Sequence, residues 1–495
     1  MKMPKPDSQT IDKRREIIDA LSLILPGEGL IVDEQELHAY ECDGLMAYRQ
    51  LPLVVALPET TEQISQILSY CNNANVKVVP RGAGTGLSGG ALPLADGITI
   101  GLGKFNRIID VDFENRAVVA QPGVTNKAIT DAVEDAGFYY APDPSSKIAC
   151  SIGGNVAENS GGMHCLKYGL TTNNLLGLEM VLMSGEIIRL GGKHLDCGGY
   201  DLMGVITGSE GLLGIITEVT VRILQKPDVQ RAVLIGFPSS SAGGDCVANI
   251  IAAGIIPGAM EMMDRMAISA MEQFVHSGYP LDVESVLIVE LDGPEVEVNH
   301  LLQSVEQIAE RAGSTFIRVS NSEQERQMFW QGRMSAFPSV GRISPDYLTM
   351  DGTIPRHRLP EVLTEMSKMS AEFGLRVANV FHAGDGNLHP LILYDANQQG
   401  DLEKAEQFGF EILKLCVRVG GVLSGEHGIG VEKRDLMGEM FSEIDLDQQQ
   451  RLKCAFDPKG LMNPGKVYPT PRRCAEMGWM HVKADKLPFP DIPRF

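Results

Sequence analysis

Pro80-Arg-Gly-Ala-Gly-Thr-Gly-Leu-Ser-Gly-Gly90 places five glycines in eleven residues, directly after a predicted strand at Val76–Val79. Without a Cβ, such a run can turn successive backbone N–H groups toward one point and let a ligand lie against the main chain. That is an anion nest of the size of a pyrophosphate. It is not a P-loop, because no Gly-Lys-Ser/Thr follows. Gly84-Thr-Gly-Leu-Ser-Gly89 matches G-x-G-x-x-G literally, but no helix signal begins there and Pro93 follows, so a Rossmann fingerprint fits poorly. Taken alone, the loop reads equally well as a tight turn.

Its surroundings decide between the two. Upstream lie a short amphipathic helix at 11–25, the segment Tyr40-Glu-Cys-Asp-Gly44, an apolar strand at Leu53–Leu57 and a capped helix at Thr60–Ala74, a βαβ pattern leading into the loop. Downstream, Tyr140-Ala-Pro-Asp-Pro-Ser-Ser146 precedes Ser151-Ile-Gly-Gly-Asn-Val-Ala-Glu-Asn-Ser-Gly-Gly162. Gly208-Ser-Glu-Gly-Leu-Leu-Gly214 precedes a strand at Ile215–Ile223. Three such segments exceed what turn-making needs and suit one extended dinucleotide threading past all of them.

The order of these segments resembles the FAD domain of the vanillyl-alcohol-oxidase type of flavoprotein. The resemblance implies two α+β subdomains clamping FAD, with the pyrophosphate on residues 81–86. It assigns the cofactor to Arg81, Gly82, Ala83, Gly84, Thr85 and Gly86; to Pro142, Asp143 and Ser145; to Gly153, Gly154, Asn159 and Gly161; to Gly211, Gly214 and Ile216; and to Asn463. Members with covalent flavin carry a histidine where Thr85 stands, so non-covalent FAD is expected. Cys150 and Cys165 are the residual covalent candidates, each read more simply as a small buried hydrophobe.

Composition sets outer bounds. A chain of 495 residues supports two or three domains, and 44% apolar content is that of an ordinary globular protein. The net charge of −21 argues against nucleic acid and against direct docking on anionic lipid, but leaves room for a basic partner protein. Nine cysteines are scattered with no C-x-x-C, so neither an iron–sulfur cluster nor a structural zinc is signalled, and the set reads as reduced cytosolic thiols. No apolar run reaches the ~20 residues that span a bilayer, and the N-terminus lacks a signal-peptide core. A cytoplasmic location is expected, with contact to the inner face of the membrane only through partners.

From about residue 226 glycine thins out and methionines cluster (Met260, Met262, Met263, Met266, Met271), a pattern of adaptable core. A strand at Val286–Leu291, a helix at Val296–Ala312 and a strand at Thr315–Val319 suggest an α+β covering domain. Arg333 follows Phe329-Trp330 and precedes Ala336-Phe-Pro338. It suits equally a cation–π packing role and a bidentate clamp on a carboxylate. Asp351-Gly-Thr-Ile-Pro355 opens a helix at about Leu359–Gly374, and another helix spans Leu402–Val419. Between them, Phe381-His-Ala-Gly-Asp-Gly-Asn-Leu-His-Pro390 reads as a hairpin with Asp385-Gly386 in a type I′ turn. That register sets His382 directly opposite His389 on one face, an arrangement that suits two imidazoles sharing one metal ion. Glu426 and His427 sit in a glycine-flanked turn and are expected to point opposite ways, Glu426 as third metal ligand and His427 as general base.

Phe381-His-x-Gly-Asp-Gly-Asn-x-His389, Ser424-Gly-Glu-His-Gly428 and Asn463-Pro-Gly-Lys466 resemble the FAD-linked D-2-hydroxy-acid dehydrogenases over roughly residues 35–470. Tyr40–Leu45, Cys150–Asn155, Ala336–Tyr347, Arg473–Glu476 and Leu487–Pro490 resemble the glycolate-oxidase type within that family. The implied fold is α+β: a two-subdomain FAD-binding domain at 51–226 after a helical segment at 1–50, an α+β substrate (cap) domain at 227–423, a short C-terminal helical segment returning to the flavin at 424–470, and a tail at 471–495. The implied reaction is hydride transfer from C2 of a 2-hydroxy acid to flavin N5. Arg333 would clamp the carboxylate, His427 take the hydroxyl proton, and a divalent metal on His382, His389 and Glu426, zinc before manganese or iron, polarise the substrate. Positions that hold a distal carboxylate in hydroxyglutarate-type relatives fall at Phe337, Thr349 and Leu391, none of them basic, so glycolate or D-lactate is expected. The family also implies an iron–sulfur subunit, a second flavin-domain subunit and a quinone as downstream acceptor. The alternative of another class is a non-catalytic flavin subunit that relays electrons.

Overall fold

The computed structural model describes residues 3–194 and 198–469, so Cys197, Cys474 and the tail segments Arg473–Glu476 and Leu487–Pro490 lie outside the described residues. Strands Val54–Ala56, Gly97–Gly101 and Lys77–Arg81 run parallel in that spatial order, with Leu30–Ile31 antiparallel at the edge. The intervening helix Thr61–Ala74 starts at a Thr60/Gln63 capping box and ends on Asn75 in the left-handed region, which explains its sharp limits. It buries Ile64, Ile67, Leu68 and Cys71 against the sheet. The glycine loop leaves the end of Lys77–Arg81, and no helix follows before Gly97–Gly101, so the literal G-x-G-x-x-G is not a Rossmann turn.

A second, antiparallel sheet has the order Ile108–Asp112, Ala117–Ala120, Ile215–Arg222, Leu175–Val181, Ile187–Gly191. The expected helix at 11–25 is two helices, Ser8–Asp12 and Arg14–Ile24, meeting at Lys13.

The third sheet carries His382. Its path runs Phe316–Val319, Val229–Phe237, Ser285–Gly293, Ala259–Asp264, Val377–His382, Asn387–Leu388, Gly352–Thr353; Asp346–Thr349 pairs with Pro390–Tyr394, which pairs with Val377–His382. Side chains alternate between its faces. Val233, Ile235, Met260, Met262, Leu287 and Phe381 enter one core, together with side chains of helices Ser240–Ala252, Leu359–Phe373 and Asp401–Arg418. Ala232, Leu234, Ala259, Met263, Ala378 and Val380 enter another, with helices Arg265–Val275 and Glu323–Val340. The clustered methionines are thus core, as their spacing suggested. By the same parity, Glu261 and His382 lie on the side of helix Glu323–Val340.

The helix expected at about Leu359–Gly374 is Leu359–Phe373, capped by Gly374, and the Asp351–Pro355 stretch before it carries a short strand, Gly352–Thr353. The six free cysteines Cys42, Cys71, Cys150, Cys165, Cys246 and Cys416 fit a reduced set, but Cys454 is disulfide-bonded.

Candidate active site

The glycine loop, the Pro144–Ser146 segment and the helix Ile152–Glu158 wall a cavity of about 450 Å³, and a smaller chamber of about 80 Å³ shares Gly82, Ala91, Gly154 and Glu158 with it. Gly82, Ala83, Gly84, Thr85, Gly86, Ser145, Gly154 and Gly161 line the larger chamber. Arg81, Gly153, Gly211, Gly214 and Ile216 line the smaller one. A Cβ on Gly86 would meet nothing closer than Glu158 at 3.9 Å, so a side chain there would project into the space left for a ligand. Glu158 leaves Oε2 buried without a partner among the described residues, an acceptor that a ligand hydroxyl would satisfy. This cradle fits an extended dinucleotide.

Four residues assigned to the cofactor line neither chamber. Asp143 pairs with His164 Nδ1 (2.9 Å) and Lys147. The Pro142 carbonyl accepts from Asn126. Asn159 caps the helix Ile152–Glu158 at φ 52°. Asn463 is buried and donates to the carbonyls of Gly90 (3.0 Å) and Glu210 (2.7 Å), fastening two glycine segments together.

The histidine hairpin differs from its expected register. His382 pairs with Asn387, and Asn379 with Pro390, so the loop is the four residues 383–386 and His389 lies diagonal to His382. Only Gly386 has positive φ (83°), which excludes a type I′ turn. Asp385 instead accepts from Asn387 N (3.1 Å), and Gly386 N donates to the His382 carbonyl (3.1 Å). The slip is two residues, and a slip of two keeps each side chain on its face. The rings therefore still meet, 5.1 Å apart and edge to face.

Glu426 completes the group. Its Oε1 lies 3.3 Å from His382 Nε2 and 3.0 Å from His389 Nε2. Burial alone would raise this carboxyl, but the two imidazoles hold it well below the usual carboxylate range. The three donor atoms lie within 4.8 Å of one another, a set that fits a divalent cation. Asp351, His389 and His427 form a second such group. It suits a cation less well, because Asp351 Oδ2 already receives Lys433 Nζ at 3.0 Å in a fully buried ion pair.

Glu426 and His427 do not point opposite ways, since both line the large cavity. The segment is bent rather than extended, because Asp351 gathers the Ser424 hydroxyl and the amides of Gly425, Glu426 and His427 onto one carboxylate. His427 stacks on His389 at 4.9 Å. Burial pushes its imidazole down to about 4, so it is a neutral acceptor at physiological pH.

Arg333 reaches the cavity from helix Glu323–Val340 and lies over the Phe337 ring, at 5.8 Å. Its Nε (2.8 Å) and Nη2 (2.7 Å) both donate to Glu261 Oε2, so the guanidinium is anchored. Of the three expected distal-carboxylate positions only Phe337 lines the cavity; Thr349 and Leu391 face each other as cross-strand partners. Cys150 lines the cavity wall, whereas Cys165 does not. Glu261, Asp351 and Lys433 escaped the sequence reading. Glu261 hides inside the apolar run Ala259–Asp264, where a lone carboxylate amid four apolar neighbours was the available signal.

Known proteins bear out the overall character. The family model described as FAD binding domain matches residues 52–191, and that described as FAD linked oxidases, C-terminal domain, matches residues 226–467. The chain is 53% identical over 482 residues to the glycolate oxidase subunit GlcD of Escherichia coli K12, covering 97% of each. It is 36% identical to the subunit of the same name from Bacillus subtilis, covering 87% of this chain and 92% of that one. It is 33% identical to a D-lactate dehydrogenase of Archaeoglobus fulgidus, covering 84% and 91%. In fold it is similar to 4-ethylphenol oxidase from Gulosibacter chungangensis (TM-score 0.79, 17% identity, 95% and 99% covered). It is equally similar to p-cresol methylhydroxylase (TM-score 0.79, 15% identity, 93% and 97% covered). The dinucleotide cradle, both family models and the end-to-end alignments together make this chain a member of the FAD-linked oxidases, an α+β flavoenzyme built on a FAD-binding domain of the vanillyl-alcohol-oxidase type.

Proposed function

We propose that the chain oxidises a short 2-hydroxy acid, glycolate to glyoxylate, where FAD and a divalent cation meet. The observation that carries this is the convergence of the glycine cradle with Arg333, His382, His389, Glu426 and His427 on one cavity of about 450 Å³. FAD when bound supplies the hydride acceptor, and a cation held by His382, His389 and Glu426, zinc before manganese or iron, supplies a Lewis acid. Arg333 holds the substrate carboxylate against the charge of Glu261 behind it. His427 accepts the hydroxyl proton at Nε2, the ring nitrogen on the side of Glu426. Phe337 and Met334 close the cavity beside Arg333 with apolar surface, which leaves a second carboxylate unpaired and limits substrate length. D-Lactate is the second reading, favoured by the D-lactate dehydrogenases among the relatives.

The relative from Escherichia coli is named as a subunit, which supports an assembly rather than a self-sufficient oxidase. We place an iron–sulfur subunit, a second flavin-domain subunit and a quinone after this chain, whose cysteines show no cluster spacing. Among the described residues no helix is long and apolar enough to cross a membrane. The proposed location is cytoplasmic, with any membrane contact made by partners.

Anaerobic mixing with glycolate, D-lactate and D-2-hydroxyglutarate, with and without chelator, tests the reading. Glycolate or D-lactate should bleach the flavin, and chelator should abolish the bleaching. A wide preference for D-2-hydroxyglutarate, or indifference to chelator, overturns it. His382→Ala should abolish oxidation and leave FAD bound. Fast reoxidation of the reduced chain by O₂ would argue against an obligate partner.

A further inference from the structure

Glu261 sits on strand Ala259–Asp264 directly opposite His382 in the sheet register, on the face that looks toward helix Glu323–Val340. It is fully buried, and each of its oxygens has a separate task. Oε1 accepts from His382 Nδ1 at 2.6 Å. Oε2 accepts from Arg333 Nε at 2.8 Å and from Nη2 at 2.7 Å. We propose that Glu261 is the positioning residue that couples the cation ligand His382 to the carboxylate clamp Arg333. This rests on the cation-site reading above.

An imidazole has one proton in its neutral form, and the hydrogen bond made by one nitrogen decides where that proton sits. With Nδ1–H committed to Glu261, a neutral His382 has only Nε2 left as a lone pair for a cation, and Nε2 is the atom beside Glu426. The carboxylate behind the ring also raises its basicity as a ligand. The same carboxylate clamps the guanidinium by its Nε edge. The guanidinium is thereby held at the cavity wall. Arg333 is nearly as buried as Glu261, so loss of the carboxylate would leave its charge without its counter-ion. The two substrate-holding groups come from a strand and a helix distant in sequence, and Glu261 sets the spacing between them.

The test uses the FAD-loaded chain carrying Glu261→Gln, an isostere that keeps the volume and removes the charge. Zinc affinity, measured by competition with a chromophoric chelator, should fall about 10–100-fold. The KM for glycolate should rise with a smaller change in kcat, while FAD content stays at that of the unaltered protein. Should this variant not fold, Glu261→Asp keeps the charge but is one methylene too short to serve both partners, and should show a smaller loss of zinc affinity with a raised KM. Wild-type zinc affinity and KM in the variant that folds overturn the inference. His382→Ala is the control. If it loses zinc while the Glu261 variants do not, only the role of Glu261 falls. If His382→Ala also keeps zinc, the cation site itself is misassigned, and both readings fall.

Discussion

His427 shows how far one side chain's character depends on its surroundings. In a glycine-flanked turn it could be an ordinary exposed histidine. Packed against His389 and backed by Asp351, it is buried and uncharged, with Nδ1 unpartnered among the described residues. Only the neutral imidazole can take a proton, so burial is what fits the residue for the proposed role of base. His427→Ala should slow flavin reduction by glycolate about 10²–10⁴-fold with FAD and zinc still bound. Stopped-flow bleaching reads this directly, and unchanged reduction would remove His427 from the role of base.

At the level of elements, the site depends on two tight loops. Gly386 has φ 83°, and a Cβ there would run into the Ile354 carbonyl. Gly386→Ala should cost at least the roughly 1–2 kcal/mol of a left-handed non-glycine residue, seen as an earlier denaturant midpoint. The Ser424–His427 turn is tied to the sheet by Asp351, whose only charged donor within salt-bridge distance among the described residues is Lys433, at 3.0 Å. Asp351→Ala leaves that buried ammonium with only the more distant Glu432 Oε2, at 3.8 Å, as counter-ion among the described residues and should destabilise the fold by about 3–5 kcal/mol. Zinc affinity and glycolate oxidation should go with it, because Glu426 and His427 lose the acceptor that orders their amides. A variant with normal stability and a normal rate would show that the turn holds itself.

Across the whole molecule, an ionic network ties the segment His164–Tyr168 to strand Ser285–Gly293 and helix Glu323–Val340. Glu290, on strand Ser285–Gly293, receives His164 Nε2 (3.1 Å), Arg326 Nη1 (2.6 Å) and the Trp330 indole. His164 also pairs with Asp143, and Lys167 and Tyr168 reach Asp292. Burial alone would lower the His164 imidazole, but Asp143 and Glu290 push it up to about 10. Because that value lies above the ordinary 6.5, the bound proton stabilises the fold fully below about pH 6.5, and the contribution is lost as pH rises toward 10. The thermal midpoint should therefore fall between pH 7 and 10. His164→Gln should be less stable at pH 7 and show a flatter profile, and an equally steep profile would remove His164 from the account.

Much of this could be read along the chain because it depends on local chemistry. Glycine runs mark where the backbone must turn or admit a ligand. Thr60 with Gln63 and the left-handed Asn75 delimit a helix, and alternation along Val377–His382 puts His382 on a defined face. The hairpin register differs by two residues from that of a type I′ turn, since an Asx bond from Asp385 is as compatible with Asp-Gly. His382 and His389 still meet because period-two geometry forgives an even slip. The rest depended on residues far apart in sequence. Glu261 and His382 are separated by more than a hundred positions, as are Arg326 and His164, and no local pattern says that such groups will meet. The same holds for the bend at Glu426-His427, imposed by Asp351 from another strand end. Local sequence settles backbone conformation and side-chain parity. Partnership between buried charges is decided by tertiary packing, because desolvation makes each one depend on what the rest of the chain brings within reach.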